Sequence, residues 1–251
     1  MTVRPLLAAA LLALACHAAR AADLVLLCAG AVKPVLVELG PAWQARSGHR
    51  LVATYAPAGE LRDRLAAGEA ADLVILPAEG LAAAAQAGWI VAGTRRDLGA
   101  VGIGVAVGAG VPLPDLSSEE GLKRALLAAR SVTFMDPARG TSGKHFDEVV
   151  LPRLAIRDEV RAKAVLGQGG MIAEQVARGE VELAIQQMTE LLPVAGIRIA
   201  GPLPPSLQKT TVYAGAVLNR AAAPAAAADL LEFLRSAPAQ AVFAAKGFAA
   251  P

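Results

Sequence analysis

Short apolar runs alternate with longer segments of helical periodicity in the first part of this chain. Three runs have the length and apolar content of buried strands: residues 24–28, 51–55 and 73–76. A segment with helical spacing of apolar side chains follows each of them: residues 34–46, 59–67 and 78–87. Gly48, Gly68 and Gly88 come directly after these segments, where a glycine commonly ends a helix. This alternation predicts parallel strand–helix units and an α/β sheet.

The same alternation resumes in the middle of the chain. Further strand-like runs lie at residues 132–135, 164–166 and 183–186, with helices predicted to begin at Ser142 and Gly170. Two long strand-like runs, at residues 99–110 and 210–218, bracket this central block. The chain is therefore predicted to leave one lobe, build a second and return to the first.

These patterns predict two lobes, each with a mainly parallel sheet flanked by helices. Residues 23–104 and 208–251 are assigned to the first lobe and residues 105–207 to the second. The two long runs would then be crossover strands that act as a hinge. A hinged pair of lobes is typical of proteins that close around a small ligand.

The first 22 residues have the features of a cleaved signal peptide. Arg4 is followed by an apolar stretch at residues 6–15, and Ala19-Arg20-Ala21 offers small residues for a signal peptidase. The apolar stretch is about half the length that a membrane-spanning helix needs. We therefore expect cleavage near Ala21 and export to the periplasm. Lipid attachment at Cys16 is the less favoured alternative.

The charge balance argues against a nucleic-acid partner. The chain has 24 Lys and Arg against 22 Asp and Glu, and cleavage of the signal would remove Arg4 and Arg20. Nucleic-acid binding requires a clustered excess of positive charge, which is absent. The glycines at residues 99–110 do not form the G-x-G-x-x-G pattern of a dinucleotide site. We expect no metal, no cofactor and a monomer.

Small residues fill four predicted strand-to-helix junctions: residues 29–31, 57–59, 140–143 and 167–170. Ligands of open α/β sheets collect at such junctions, and backbone N–H groups at a helix start favour an anion. The junctions are also compatible with ordinary turns. If they converge, they form an anion site, and its candidate residues are Gly30, Ala31, Ala58, Gly59, Thr141, Ser142, Gly143 and Gly169.

Two side chains near these junctions are weak candidates for chemistry. His145 follows the third junction and is either a general base, an anion donor or a structural residue. Cys28 ends the first strand and would be the only cysteine left after cleavage, so no intramolecular disulfide is expected. A nucleophilic pair of Cys28 and His145 is conceivable, but a buried cysteine more often acts as a small apolar residue.

The chain resembles the periplasmic molybdate-binding proteins of ABC importers over nearly all of its length after the signal. The resemblance runs through LVLLCAGAVKPVL, the loop DPARGTSGKHF and the closing segment APAQAVFAAKGFAAP. It implies the type II periplasmic-binding fold, a small anionic ligand and an ABC permease as partner. It also places the backbone amides that bind the ligand near Ser142 and Gly169.

The hydroxyl groups that this family offers to its oxyanion are replaced in this chain. The resemblance places the first serine at Ala31, the second at Ala58 or Gly59, and the tyrosine near Gln187. A dehydrated tetrahedral oxyanion needs such donors, because an unpaired buried charge is costly. We therefore expect an organic carboxylate rather than molybdate, with Gln187 among the binding residues.

The segments AGAVKPVL, AGEL and DPARGTSGKHF also resemble a divergent subgroup of the same fold that includes aconitate isomerase. This resemblance implies an alternative function, isomerisation of a tricarboxylic acid in the periplasm. Such an enzyme would need a base, for which Glu60 and His145 are the candidates. For Glu60, a solvent-exposed position in the first turn of a helix is the favoured alternative, because the helix dipole stabilises an acidic side chain there. Capture of a small anion for an ABC importer is the leading hypothesis.

Overall fold

A computed structural model describes residues 22–251 of the chain, so the predicted signal peptide lies almost entirely outside the described residues. Within residues 22–251 the chain forms ten strands in two five-stranded sheets. The strands are β1 (Asp23–Ala29), β2 (Arg50–Ala56), β3 (Leu73–Pro77), β4 (Arg96–Val101), β5 (Ile103–Gly108), β6 (Val132–Met135), β7 (Ala164–Gly167), β8 (Leu183–Gln187), β9 (Ile197–Pro202) and β10 (Thr211–Val217).

Helices follow most of the strands, as the alternation predicted. They are α1 (Lys33–Ser47), α2 (Ala58–Ala66), α3 (Ala78–Gln86), α4 (Glu119–Ala128), α5 (Thr141–His145), α6 (Leu151–Arg153), α7 (Arg157–Arg161), α8 (Glu174–Ala177), α9 (Met188–Leu191), α10 (Pro224–Arg235) and α11 (Ala237–Ala245). A 3₁₀ turn, Gly30–Val32, precedes α1, and a π-helical turn, Phe146–Val150, joins α5 to α6. The predicted α/β class is confirmed.

Each sheet is mixed, with two parallel and two antiparallel strand pairings, and has its own apolar core. The first sheet has the strand order β2-β1-β3-β10-β4 and the second β7-β6-β8-β5-β9. Strands β1, β2 and β3 run parallel, as do β6, β7 and β8, which brings their carboxyl ends to one edge of each sheet. Trp43 and Phe243 are fully buried in the first core, and Phe134 and Phe146 in the second.

The chain first crosses from one sheet to the other at Gly102, between two consecutive strands. Strand β4 belongs to the first sheet and β5 to the second, with Gly102 between them. This change of sheet confirms that the long apolar run carries the chain across. The long run was predicted as one continuous strand, but Gly102 divides it into β4 and β5, and the Gly102 carbonyl accepts from the N–H of Met188 at 3.0 Å.

The return crossing, residues 203–210, is not a strand, and the strand-like run predicted at residues 210–218 is β10, which lies wholly in the first sheet. Pro204 and Pro205 lie in this segment, and proline has no N–H to donate to a ladder. The side chain of Gln208 ties the two crossings together instead. Its Oε1 accepts from the N–H of Ile103 at 2.8 Å, and its Nε2 donates to the Ile103 carbonyl at 2.9 Å.

Candidate ligand-binding cavity

A small cavity of about 30 Å³ lies between the two lobes, where the strand ends of both sheets meet. Its lining comes from the first three predicted junctions and from the side chain at the end of β6. Three further side chains complete it: one ends β8, one follows β8 in α9, and one lies on β10. The lining residues are Ala29, Gly30, Ala31, Pro57, Ala58, Met135, Gly140, Thr141, Ser142, Gln187, Glu190 and Tyr213. We call this space the inner cavity. None of these described residues is Lys, Arg or His, so an anion held here meets dipoles and neutral donors.

Six of the nine predicted binding residues line the inner cavity: Gly30, Ala31, Ala58, Thr141, Ser142 and Gln187. The other three glycines lie beside it. The N–H of Gly59 donates to the carbonyl of Arg139 across the lobes at 3.0 Å. Gly143 packs against β6, since an added Cβ would come 1.7 Å from the Met135 carbonyl oxygen. Gly169 lies across from Pro57, 3.4 Å from an added Cβ.

The inner cavity has a polar floor made by Gln187, Glu190 and Tyr213. The Nε2 atom of Gln187 lies 3.5 Å from the Tyr213 hydroxyl and 3.4 Å from Oγ1 of Thr211. The Oε1 atom of Gln187 is buried and has no hydrogen-bond partner among the described residues. A buried acceptor without a partner is costly, so this oxygen is suited to a group that donates a hydrogen bond, such as a protonated carboxyl or a hydroxyl.

Glu190 is the acidic group of this floor, and the sequence analysis did not identify it. It lies in the first turn of α9 and is only 8% exposed. Burial raises the pKa of its carboxyl to about 8, opposed by a hydrogen bond from Gln186. The carboxyl is therefore mostly protonated at neutral pH. A protonated carboxyl is a hydrogen-bond donor that accommodates an anion which a carboxylate would repel.

Tyr213 supplies a hydroxyl that the sequence analysis took to be missing. The family tyrosine was expected near Gln187, and the hydroxyl of Tyr213 lies beside that residue although it comes from strand β10. Burial is the main cause that raises the pKa of Tyr213, so the phenol stays neutral. The expectation that all three hydroxyl donors are absent is therefore wrong. It holds for Ala31 and Ala58, which have no hydroxyl.

A larger outer cavity of about 1060 Å³ adjoins the inner one. Ala58, Gly140 and Thr141 line both spaces. The outer lining includes five cationic side chains: Arg62, Arg139, Lys144, Arg161 and Lys209. It also includes three acidic ones: Glu79, Asp136 and Glu148. Four of these cations have a carboxylate within 3.7 Å: Asp63 for Arg62, Glu60 for Arg139, Asp147 for Arg161 and Glu79 for Lys209. Lys144 has no such partner among the described residues, so it is the cation best placed to attract an anion.

Glu60 and Arg139 form an ion pair between the lobes, at the edge of the outer cavity. An Oε2 atom of Glu60 lies 2.7 Å from Nη2 of Arg139, and Nε of Arg139 donates to the Gln168 carbonyl at 2.9 Å. The interlobe bond from the Gly59 N–H lies next to this pair. Glu60 thus fastens the lobes together, and it does not line the inner cavity.

His145 and Cys28 are not brought together. His145 lines the outer cavity, and its Nε2 lies 2.8 Å from the Leu207 carbonyl oxygen. Cys28 is fully buried in the first core, where its Sγ donates to the Ala29 carbonyl at 3.4 Å. Burial raises the pKa of the Cys28 thiol, so the thiolate is disfavoured. This placement does not support a nucleophilic pair.

Among residues 22–251, no group of three or more His, Cys, Asp or Glu side chains is arranged to hold a metal ion. No helix within the same residues combines the length and apolar character needed to cross a bilayer.

Comparison with known proteins gives the family. Residues 24–249 match the family model described as bacterial extracellular solute-binding protein. The chain belongs to this family. It is also 34% identical over 218 residues to an aconitate isomerase from a Pseudomonas species, covering 85% of this chain and 82% of that protein. The resemblance seen in the sequence segments is thereby confirmed.

Solved structures confirm the two-lobed periplasmic-binding fold. The periplasmic molybdate-binding protein of Azotobacter vinelandii matches with a TM-score of 0.77 at 18% identity, covering 91% of this chain and 99% of that one. The sulfate-binding protein of Mycobacterium tuberculosis H37Rv matches with a TM-score of 0.73 at 17% identity, covering 90% of this chain and 86% of that one.

Proposed function

We propose that this protein captures a small organic polycarboxylate between its lobes. The observation that carries the proposal is the polar floor of the inner cavity. Glu190 and Tyr213 offer a neutral carboxyl and a phenol as donors, Gln187 holds the Tyr213 hydroxyl in place through its Nε2, and no cation lies among these three. These donors suit a carboxylate group, whose oxygens accept hydrogen bonds along one edge.

The distribution of donors supports a carboxylate rather than a tetrahedral oxyanion. A tetrahedral anion presents oxygens in four directions, and each needs a donor once water is removed. Ala31 and Ala58 line the inner cavity at the first two junctions and have no hydroxyl groups, so Tyr213 is the first-lobe lining residue that offers one. A planar carboxylate needs donors mainly on the side of Glu190 and Tyr213, which the cavity supplies.

The two cavities together support a ligand with more than one carboxylate. The inner cavity of about 30 Å³ has room for one small group and not for a whole tricarboxylic acid. The adjoining outer cavity has unoccupied space and cationic side chains, among them Lys144 and Arg62. One carboxylate would thus lie on the polar floor, and the others would face the cations. The lobes would open to admit the ligand.

The proposal includes export and delivery. The N-terminal segment has the pattern of a cleaved signal peptide, and the family is extracellular. A monomer in the periplasm would then hand its ligand to an ABC permease of the inner membrane.

Thermal unfolding with a panel of ligands tests this function. Cis-aconitate, trans-aconitate and citrate are expected to raise the melting temperature, because a ligand at one hundred times its Kd adds about 2.7 kcal/mol of stability. Acetate, with one carboxylate, and molybdate are the matched comparisons and should give little shift. A shift with molybdate at micromolar concentration, and none with the polycarboxylates, would contradict the proposal.

A second candidate function is isomerisation of such an acid, and one specific observation favours it. Glu190 places a carboxyl with a pKa near neutral inside the cavity, and the chain is 34% identical to an aconitate isomerase. A carboxyl of this kind can exchange protons with a ligand. Incubation with cis-aconitate, followed by proton NMR for the trans isomer, tests this function. Turnover establishes an enzyme, whereas binding without turnover leaves the receptor function in place.

A further inference from the structure

Three side chains near the cleft could act as an acid or a base, and only one of them lines the inner cavity. Glu60 is paired with Arg139 and lies outside the inner cavity. His145 lines the outer cavity, where its Nε2 is within hydrogen-bond distance of the Leu207 carbonyl oxygen. Of the described residues that line the inner cavity, Glu190 alone has a carboxyl or imidazole group.

The absence of a side chain at Gly30 leaves room for the Glu190 carboxyl at the inner cavity. A Cβ added to Gly30 would come 2.9 Å from Oε1 of Glu190, so the carboxyl lies directly against the first lobe. Gly30, Glu190 and Tyr213 all line the same small cavity. A ligand held there would have its atoms next to Oε1 without any movement of Glu190.

From this placement we infer that Glu190 transfers a proton between two carbons of the bound polycarboxylate. The inference rests on the second candidate function, isomerisation of an unsaturated tricarboxylic acid. Glu190 is assigned as the catalytic residue, in place of the sequence-based candidates Glu60 and His145.

The step is a proton shift along a three-carbon unit. The Glu190 carboxylate removes a proton from the CH₂ carbon next to the double bond. The C–H electron pair then spreads over the three carbons and the adjoining carboxylate. The Glu190 carboxyl next returns a proton to the carbon at the other end. One C–H bond breaks, one forms, the double bond moves, and no oxidant or reductant is required.

Exchange of the ligand's carbon-bound hydrogens in deuterium oxide tests this step directly. Wild-type protein with trans-aconitate is expected to incorporate deuterium at carbon and to form the cis isomer, both visible by NMR. Glu190→Gln should lower both rates on the order of 10²–10⁴-fold, as loss of an acid–base group does. It should still bind the ligand, so the loss appears in kcat. Glu120→Gln, an exposed glutamate on α4, is the matched control and should behave as wild type.

Three results would overturn the inference. The first is a wild-type protein that binds trans-aconitate but neither exchanges nor isomerises it; the binding function would then still stand. The second is a Glu190→Gln variant that retains a tenth or more of the wild-type rate. If Glu190→Gln fails to fold or to bind the ligand, the rate and pH profile of Glu190→Asp are measured instead. A rate that falls at least tenfold with an altered pH profile supports the inference, and an unchanged rate and profile overturn it.

Discussion

Gly30 of the first lobe lies directly against the Glu190 carboxyl of the second, with 2.9 Å between an added Cβ and Oε1. Gly30→Ala is therefore expected to displace the carboxyl or to hold the lobes slightly apart. We predict a loss of affinity for trans-aconitate of about tenfold, measured by isothermal titration calorimetry, since rearrangement of a tight site costs on the order of 1–3 kcal/mol. Gly110→Ala is the control, because its added Cβ meets no atom within 4 Å. Equal affinities of the two variants would show that this contact is unimportant.

Affinity should depend on pH through Glu190. Burial raises the pKa of this carboxyl to about 8, so the neutral, donating form dominates below pH 8 and the repelling carboxylate above it. The Kd is therefore expected to stay level below pH 8 and then to rise by up to about tenfold per pH unit. Calorimetry across pH 6–10 measures this, and Glu190→Gln should abolish the dependence. A wild-type Kd that stays constant to pH 10 would refute this role.

The rate of isomerisation should depend on pH in the opposite sense to the affinity for the ligand. Removal of a carbon-bound proton requires ionised Glu190, and the ionised fraction grows as the pH rises toward the pKa of about 8. We predict that kcat/KM for aconitate rises with pH up to about 8 and then levels off, whereas the Kd stays level up to about 8 and rises above it. Initial rates in a series of buffers test this. A kcat/KM that falls between pH 6 and 8 would contradict it.

The buried carboxyl should also limit the stability of the unliganded protein. Its pKa is raised from 4.5 to about 8, so the unfolded chain ionises the group more easily than the folded one. Stability is therefore lost as the pH rises from about 4.5 to 8, at about 1.4 kcal/mol for each unit of pKa difference. Glu190→Gln should melt at least about 5 °C higher than wild type at pH 9. Near pH 4.5 this gain should nearly vanish, and a gain independent of pH would refute the explanation.

The Glu60–Arg139 pair should hold the lobes closed weakly. Both side chains are more than a third exposed, and such pairs contribute less than about 1 kcal/mol. Glu60→Gln is expected to weaken ligand binding by no more than about fivefold, mainly through faster dissociation, and high salt should reduce the difference. Stopped-flow dissociation measurements test this, with Glu69→Gln, whose partner Arg64 is also in the first lobe, as control. A loss of more than a hundredfold would instead indicate direct ligand contact by Glu60.

Most of the fold could be predicted because apolar periodicity reports local structure directly. The strand starting at residue 24 and the helices that follow β1, β2 and β3 lie where the sequence placed them. The return crossing could not be predicted well. The strand-like run predicted at residues 210–218 is β10, but the Gln208 contacts with Ile103 that join the two crossings depend on tertiary structure.

The inner cavity could be predicted only in part, for a related reason. Small residues marked the first three junctions, and these do meet. The junction after β8 has no glycine, so Glu190 went unnoticed, although the rule that ligands collect at strand ends applies to it equally. Tyr213 could not have been found by position, because it lies on β10 and reaches Gln187 only through the folding of the second crossing.

The function proposed for the interlobe cavity is the binding of a polycarboxylate. Its most direct test is a calorimetric titration of the protein without its signal segment, at pH 7, with trans-aconitate and separately with molybdate. Saturable binding of one trans-aconitate per chain and no heat from molybdate is the predicted result. Saturable binding of molybdate, with no heat from trans-aconitate, would contradict it.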